Sequence, residues 1–325
     1  MKVARLHATA DLRLHDETDP RPGAGEELVR VTAVGLCGSD RHWFSEGGIG
    51  DSRLTRPLVL GHEIGGVIAT GPRAGERVAV DPAIPCGRCE LCATGAGHLC
   101  REVLFAGHGT TDGGLRTLMA WPARLLQPLP DAIGDDMGAL MEPLGVALHA
   151  ADLGKVARGM RVGVFGCGPI GLLLIQVLSR LGASPIVATD PIPQRLAAAL
   201  QMGAERPDTP FADMALDVVF EAAGEDAAVE DAVAAVRPGG RIVLVGIPSS
   251  DSTTFRASTA RHKGLTLLLS RRMRASDLPR AIELTVRGDI DPRSLVSAPV
   301  ALERAAEAFD RLVRHEGLKT IVRPS

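Results

Sequence analysis

The stretch Arg161-Val162-Gly163-Val164-Phe165-Gly166-Cys167-Gly168-Pro169-Ile170-Gly171-Leu172-Leu173-Leu174-Ile175 decides the fold of this chain. Val162–Phe165 is a short unbroken apolar run, as a strand buried on both faces requires. The run 170–181 is long, apolar and free of breakers beyond Gly171, so it reads as a buried helix. Between them lies G-x-G-x-x-G. Gly166 permits a tight turn, and Gly168 lets the backbone approach a ligand closely. Gly171 lets the helix sit against the strand. Pro169 and Ile170 complete the loop and open the helix, whose first N–H groups face outward as an anion site. Residues 186–190 form the next strand, closed by Asp190, 19 residues after Gly171. An acid at that place accepts hydrogen bonds from both hydroxyls of an adenosine ribose and repels a 2′-phosphate. Strand, glycine loop, helix, strand and acid together predict a dinucleotide site that takes NAD rather than NADP. Arg195, five residues on, either stacks on an adenine or assists a 2′-phosphate if Asp190 turns away.

Outward from this unit the same rhythm continues. Helix is expected over 144–153, a helix over 194–202 ended by Gly203, and strand over 216–220. Helix follows over 227–236, then strands over 241–246 and 265–269. Strand alternating with helix at this spacing predicts a parallel, doubly wound α/β sheet. Before residue 143 the texture differs. Alternating runs at 28–34, 63–70 and 77–80 are punctuated by Pro20, Pro22, Gly23, Pro57, Pro82 and Pro85, which predicts a mostly β, barrel-like region. The tail after 279 carries two helical patterns and a last strand at 320–323.

Composition narrows the chemistry. The chain has 325 residues, 36 basic and 39 acidic, for a net charge of −3. That balance gives no reason to expect nucleic acid or an anionic membrane as a partner. No apolar segment near the N-terminus has the form of a leader, and the longest apolar run is about half a membrane span, so a cytoplasmic protein is expected. Tyrosine is absent. Any mechanism with a tyrosine acid or base is excluded, and proton chemistry falls to His, Asp, Glu, Ser, Thr, Cys, Lys or a metal-bound water.

The six cysteines divide unevenly. Cys86-x2-Cys89-x2-Cys92-x7-Cys100 places four thiolates within 15 residues, with Gly87, Gly95 and Gly97 allowing tight turns. Four thiolates close a tetrahedral zinc shell with no open position, so this metal is structural. A nucleic-acid zinc module would need a basic, aromatic-rich surround, which is lacking. A second, dispersed set consists of Cys37, His62, Glu63 and Glu142. Taken singly, these are a small buried hydrophobe, a core histidine and two ordinary acids. Taken together they make a mixed shell that holds Zn²⁺ and leaves room for water or substrate, the mark of a catalytic site. Cys167 fills a variable slot in the glycine loop.

The residues Cys37-Gly38-Ser39-Asp40-Arg41-His42-Trp43, Pro57–Glu63, the Cys86–Cys100 lobe, Asp112-Gly113-Gly114, Glu142-Pro143-Leu144 and Gly166–Gly171 resemble the zinc-containing medium-chain dehydrogenases. Within them the chain is most similar to the polyol branch of sorbitol and L-idonate 5-dehydrogenases. The resemblance runs over essentially the whole chain and implies a GroES-like, mostly β catalytic domain over 1–143 and 273–325. It implies a Rossmann domain over 144–272. Cys37, His62 and Glu63 then correspond to catalytic zinc ligands, with Glu142 binding directly or through water. Ser39 and His42 correspond to a proton relay, and Trp43 and Phe105 to walls of the substrate pocket. Arg271 or Arg272 corresponds to a substrate-side arginine. Two zinc ions per chain, NAD, a small polyol or sugar-acid substrate and a homodimer or homotetramer are the implied cofactors and partners. The same scaffold acting on an amino alcohol, as threonine dehydrogenase does, is one alternative. A non-catalytic zinc-stabilised dinucleotide sensor is the other.

Overall fold

The computed structural model describes residues 1–250 and 252–325, which form two compact units. The first comprises Met1–Glu142, Met273–Gly288 and Pro292–Ser325, and the second Pro143–Arg272 with Asp289–Asp291. The chain leaves the first unit inside a single helix, Met141–Gly154.

The second unit is built on five parallel strands in the order Ile186–Thr189, Val162–Phe165, Leu216–Glu221, Val236–Leu244, Thr266–Leu269. Strand order reverses beside Val162–Phe165, so the crevice for a ligand opens at the end of that strand, where the glycine loop begins. Val162, Val164 and Phe165 are buried, and the helix Pro169–Leu181 that follows buries Leu172 to Ile175. After Gly203, Val187 and Glu205 form an isolated parallel bridge at the edge of this sheet. Strand Val236–Leu244 starts five residues earlier than the sequence suggests, because its Pro238-Gly239-Gly240 turn signal is absorbed in an irregular pairing with Leu216–Glu221.

The first unit is held by a seven-stranded sheet. Strand Glu26–Gly35 is its centre, pairing with Glu63–Ile68, Leu118–Pro122 and the C-terminal strand Ile321–Arg323. Val29, Val31, Ile64, Ile68, Val78 and Met119 are buried in its core. A smaller sheet contains the hairpin Lys2–Ala8 and Asp11–Asp16, which the charged alternation of Arg5, His7, Arg13 and His15 hides in the sequence. A second element without a sequence signal is the helix Gly38–Glu46. Its buried residues include Asp40 and His42 beside Trp43 and Phe44, so no apolar stripe marks it. Among the described residues no helix is long and apolar enough to cross a membrane.

Candidate active site

Sheet register brings the dispersed residues together. Strand Glu26–Gly35 pairs Gly35 with Glu63, and the chain then turns through Leu36 into Cys37 and the helix Gly38–Glu46. A side chain at Gly35 would come within 2.0 Å of Glu63 Oε2, so glycine there leaves room for the carboxylate. Asp40 reaches back to accept the Cys37 N–H at 2.9 Å, fixing the start of the helix. Its other oxygen accepts the Gly61 N–H at 3.2 Å and lies 3.5 Å from His62 Nδ1. Asp40 thus ties the two chain segments that carry Cys37 and His62.

One donor atom each from Cys37, His62 and Glu63 lies within 4.8 Å of the others. Sulfur, imidazole nitrogen and carboxylate oxygen are the donor set that zinc takes, and three protein ligands leave a fourth position open. With Nδ1 of His62 directed at Asp40, Nε2 is the nitrogen left for a metal, the arrangement that orients ligating imidazoles elsewhere. Ser39 Oγ lies 3.4 Å from that Nε2. Burial alone would lower the His62 pKa, but the Asp40 carboxylate and Cys37 outweigh it and hold the imidazole well above its ordinary value. Burial would likewise raise Asp40, yet the His62 charge and the backbone N–H groups of Cys37 and Gly61 keep it below the usual range.

Glu142 is buried but stands outside the three-residue group. Burial pushes its carboxyl up to about 8, with Glu63 and Asp81 adding to the rise against the pull of His62 and Lys319. Lys319 is a site residue that motif reading passes over. Its Nζ lies 2.6 Å from Glu63 Oε1 and 2.5 Å from Oε2, and donates to Leu36 O at 2.8 Å. Both side chains are almost wholly inaccessible. The signal available was the scarcity of lysine in an arginine-rich chain, with Lys319 one of four.

Around this group, the Phe105 ring sits 5.3 Å from that of His62. Trp43 is buried and donates through Nε1 to His108 Nδ1 at 3.2 Å. His42 is buried and its Nδ1 lies 2.9 Å from Glu46 Oε1.

The four lobe cysteines also converge. Sγ separations are 3.9 Å for Cys86–Cys92, 3.5 Å for Cys89–Cys92 and 3.9 Å for Cys89–Cys100. Tetrahedral zinc with bonds of about 2.3 Å places its sulfurs about 3.8 Å apart, so these residues fit the ion. Backbone N–H groups of Arg88 and Cys89 pull the Cys86 thiol down to about 7, while burial and the neighbouring thiols push Cys92 up to about 12.

In the second unit, Gly166 adopts φ 97°, and a side chain there would strike the backbone of Ala222 and Ala223 at 2.6–2.7 Å. At Gly171 it would meet Gly166 O at 2.0 Å. At Gly168 the nearest atom is the Arg195 guanidinium, 4.0 Å away, which leaves the loop's mouth open for a phosphate. Asp190 accepts the Cys167 N–H and the Ile192 N–H, each at 2.7 Å, and so is anchored at the loop. Arg271 is exposed and Arg272 half-buried with φ 57°; they end this unit's main segment.

Two family models match: an alcohol dehydrogenase GroES-like domain over residues 23–131 and a zinc-binding dehydrogenase domain over 169–287. Sorbitol dehydrogenase of Bacillus subtilis is 33% identical over all of this chain and 98% of its own length. The chain belongs to the zinc-dependent medium-chain dehydrogenases, in the polyol branch. The solved L-idonate 5-dehydrogenase of Escherichia coli superposes with a TM-score of 0.90 at 28% identity, covering 99% of this chain and 97% of that one. Two further structures, each with a TM-score of 0.90 and 99% coverage of both chains, differ in cofactor. An alcohol dehydrogenase from Escherichia coli CFT073, 29% identical, carries NADH. A zinc-binding dehydrogenase from Sinorhizobium meliloti, 27% identical, carries NADP. This zinc-dependent dehydrogenase therefore pairs a zinc-built catalytic unit with a nicotinamide dinucleotide fold.

Proposed function

We propose that this dehydrogenase oxidises a secondary hydroxyl of a polyol, sugar acid or cyclitol with NAD as acceptor. The observation that carries this reading is the convergence of Cys37, His62 and Glu63, with Ser39 at the His62 Nε2 edge. The named activities of its relatives, sorbitol and L-idonate oxidation, support the substrate class. Anchored Asp190 at the glycine loop supports NAD over NADP.

Zinc, when bound, supplies Lewis acidity that lowers the pKa of a substrate hydroxyl, and NAD supplies the hydride acceptor. Cys37, His62 and Glu63 would hold the metal, with Glu142 next to them. Asp40 keeps the His62 ring in one orientation. Ser39 Oγ is a hydroxyl that can take up and pass on a proton beside the substrate, and the buried His42 imidazole is the later group of the relay toward solvent. Phe105 and Trp43 give the pocket apolar walls. Cys86, Cys89, Cys92 and Cys100 hold a second, structural zinc. Gly166, Gly168, Pro169, Ile170 and Gly171 cradle the pyrophosphate, with Asp190 on the ribose and Arg195 over the loop.

Leu269 is 78% exposed on the edge strand Thr266–Leu269. An apolar open edge of this kind supports pairing with a second copy, in a dimer or tetramer. All six cysteines are free, in keeping with a cytoplasmic protein.

The test is a rate survey of NAD⁺ and NADP⁺ reduction with polyols, aldonates, cyclitols and threonine. Turnover of a polyol or aldonate with NAD⁺ at rates well above threonine is expected. Turnover of threonine alone overturns the reading.

A further inference from the structure

Glu46 is the last residue of the helix Gly38–Glu46, immediately before Gly47 ends it with φ 72°. An acid there opposes the helix dipole, whose negative end it adds to, and no basic residue lies in that last turn to compensate. Its partner is instead His42, one turn back, with Nδ1 2.9 Å from Glu46 Oε1. This is not a surface ion pair: the His42 side chain is 4% exposed, while that of Glu46 is 38% exposed. The imidazole is therefore enclosed, and its one identified side-chain partner is a carboxylate that reaches solvent.

We propose that Glu46 is the positioning residue of the relay histidine, an inference that rests on the relay role proposed above for His42. An ionised carboxylate only accepts hydrogen bonds, so His42 Nδ1 carries the proton and donates it. The neutral ring is thus held in the tautomer whose Nε2 lone pair is the acceptor. When Nε2 takes the proton lost by the substrate hydroxyl, the ring becomes imidazolium with Nδ1–H still on Glu46. Nε2 then returns the proton to water and the neutral tautomer is restored, with no net change in the pair. The logic is that of a carboxylate orienting a catalytic imidazole without itself being protonated.

The experiment uses full-length zinc-loaded enzyme with NAD⁺ and the best polyol or aldonate, reading the single-turnover rate of NADH formation and KM. His42→Gln, Glu46→Gln and the double variant are compared. Glu46→Gln is expected to slow the single-turnover rate roughly tenfold with KM unchanged, less than the roughly 10²–10⁴-fold of a whole acid–base assist because His42 itself remains. In the His42→Gln background the same change is expected to alter the rate less than about twofold, because the two act as a unit. A wild-type rate in Glu46→Gln, with His42→Gln impaired, overturns the positioning role and leaves the relay intact. Equal losses in both backgrounds also overturn it, since Glu46 then acts apart from His42. A wild-type rate in His42→Gln overturns the relay itself, and this inference with it.

Discussion

Glu142→Gln separates the electrostatic cost of the site from its chemistry. In the metal-free protein the Glu142 carboxyl is pushed up to about 8, chiefly by burial, from an ordinary value of 4.5. The native state therefore binds this proton more tightly than the unfolded chain does. The stabilisation is complete below about pH 4.5 and is lost as the pH climbs through 8. Between those limits each pH unit costs about 1.36 kcal/mol. From pH 5.5 to 7.5 the loss from this one group is on the order of 2–3 kcal/mol, once the partial titration at each end is counted. Glutamine has the same shape and no proton to lose. Urea unfolding of chelator-treated wild type and Glu142→Gln at the two pH values gives the comparison directly. The variant should gain on the order of 2–3 kcal/mol on wild type between pH 5.5 and 7.5. Groups that do not face Glu142 are common to both proteins and cancel in the comparison. A difference that stays within about 0.5 kcal/mol across that range refutes the assignment of a buried, neutral carboxyl to Glu142.

Lys319→Met leaves Glu63 charged and buried without its cation, and should destabilise the protein by about 3–5 kcal/mol in chemical unfolding. Asp190→Ala removes the acceptor for two ribose hydroxyls. KM for NAD⁺ should rise roughly 10- to 150-fold, at about 1.5–3 kcal/mol for hydrogen bonds to a charged group, while KM for NADP⁺ falls or holds. Light scattering at micromolar concentration should give a dimer or tetramer, and Leu269→Lys on the exposed edge strand should shift it toward monomer.

The parts of this molecule that were legible in its sequence share one property: their local rule and their tertiary role agree. Val162–Phe165, Gly166–Gly171 and Asp190 read as strand, loop and acid because each does what its residue types prefer. The four lobe cysteines converge within 15 residues, so spacing alone suffices. The helix Gly38–Glu46 escaped because its buried face carries Asp40 and His42 for the site's use, which breaks apolar periodicity. Lys319 escaped for a different reason. Its meeting with Glu63 spans 256 residues and is set by sheet register, with Gly35 paired to both Glu63 and Ile321. No local pattern encodes such a contact. Glu142 was legible as an acid, but its buried place outside the three-residue group follows only from packing.

The central claim is that one metal is structural and a separate one, held through Cys37, is catalytic. Zinc content per chain, measured on the same samples that are assayed for NAD⁺ reduction, tests it most directly. Wild type should hold two zinc ions, and Cys37→Ser should hold one and lose its activity. Two zinc ions with full activity in Cys37→Ser, or a single zinc in active wild type, would contradict the account.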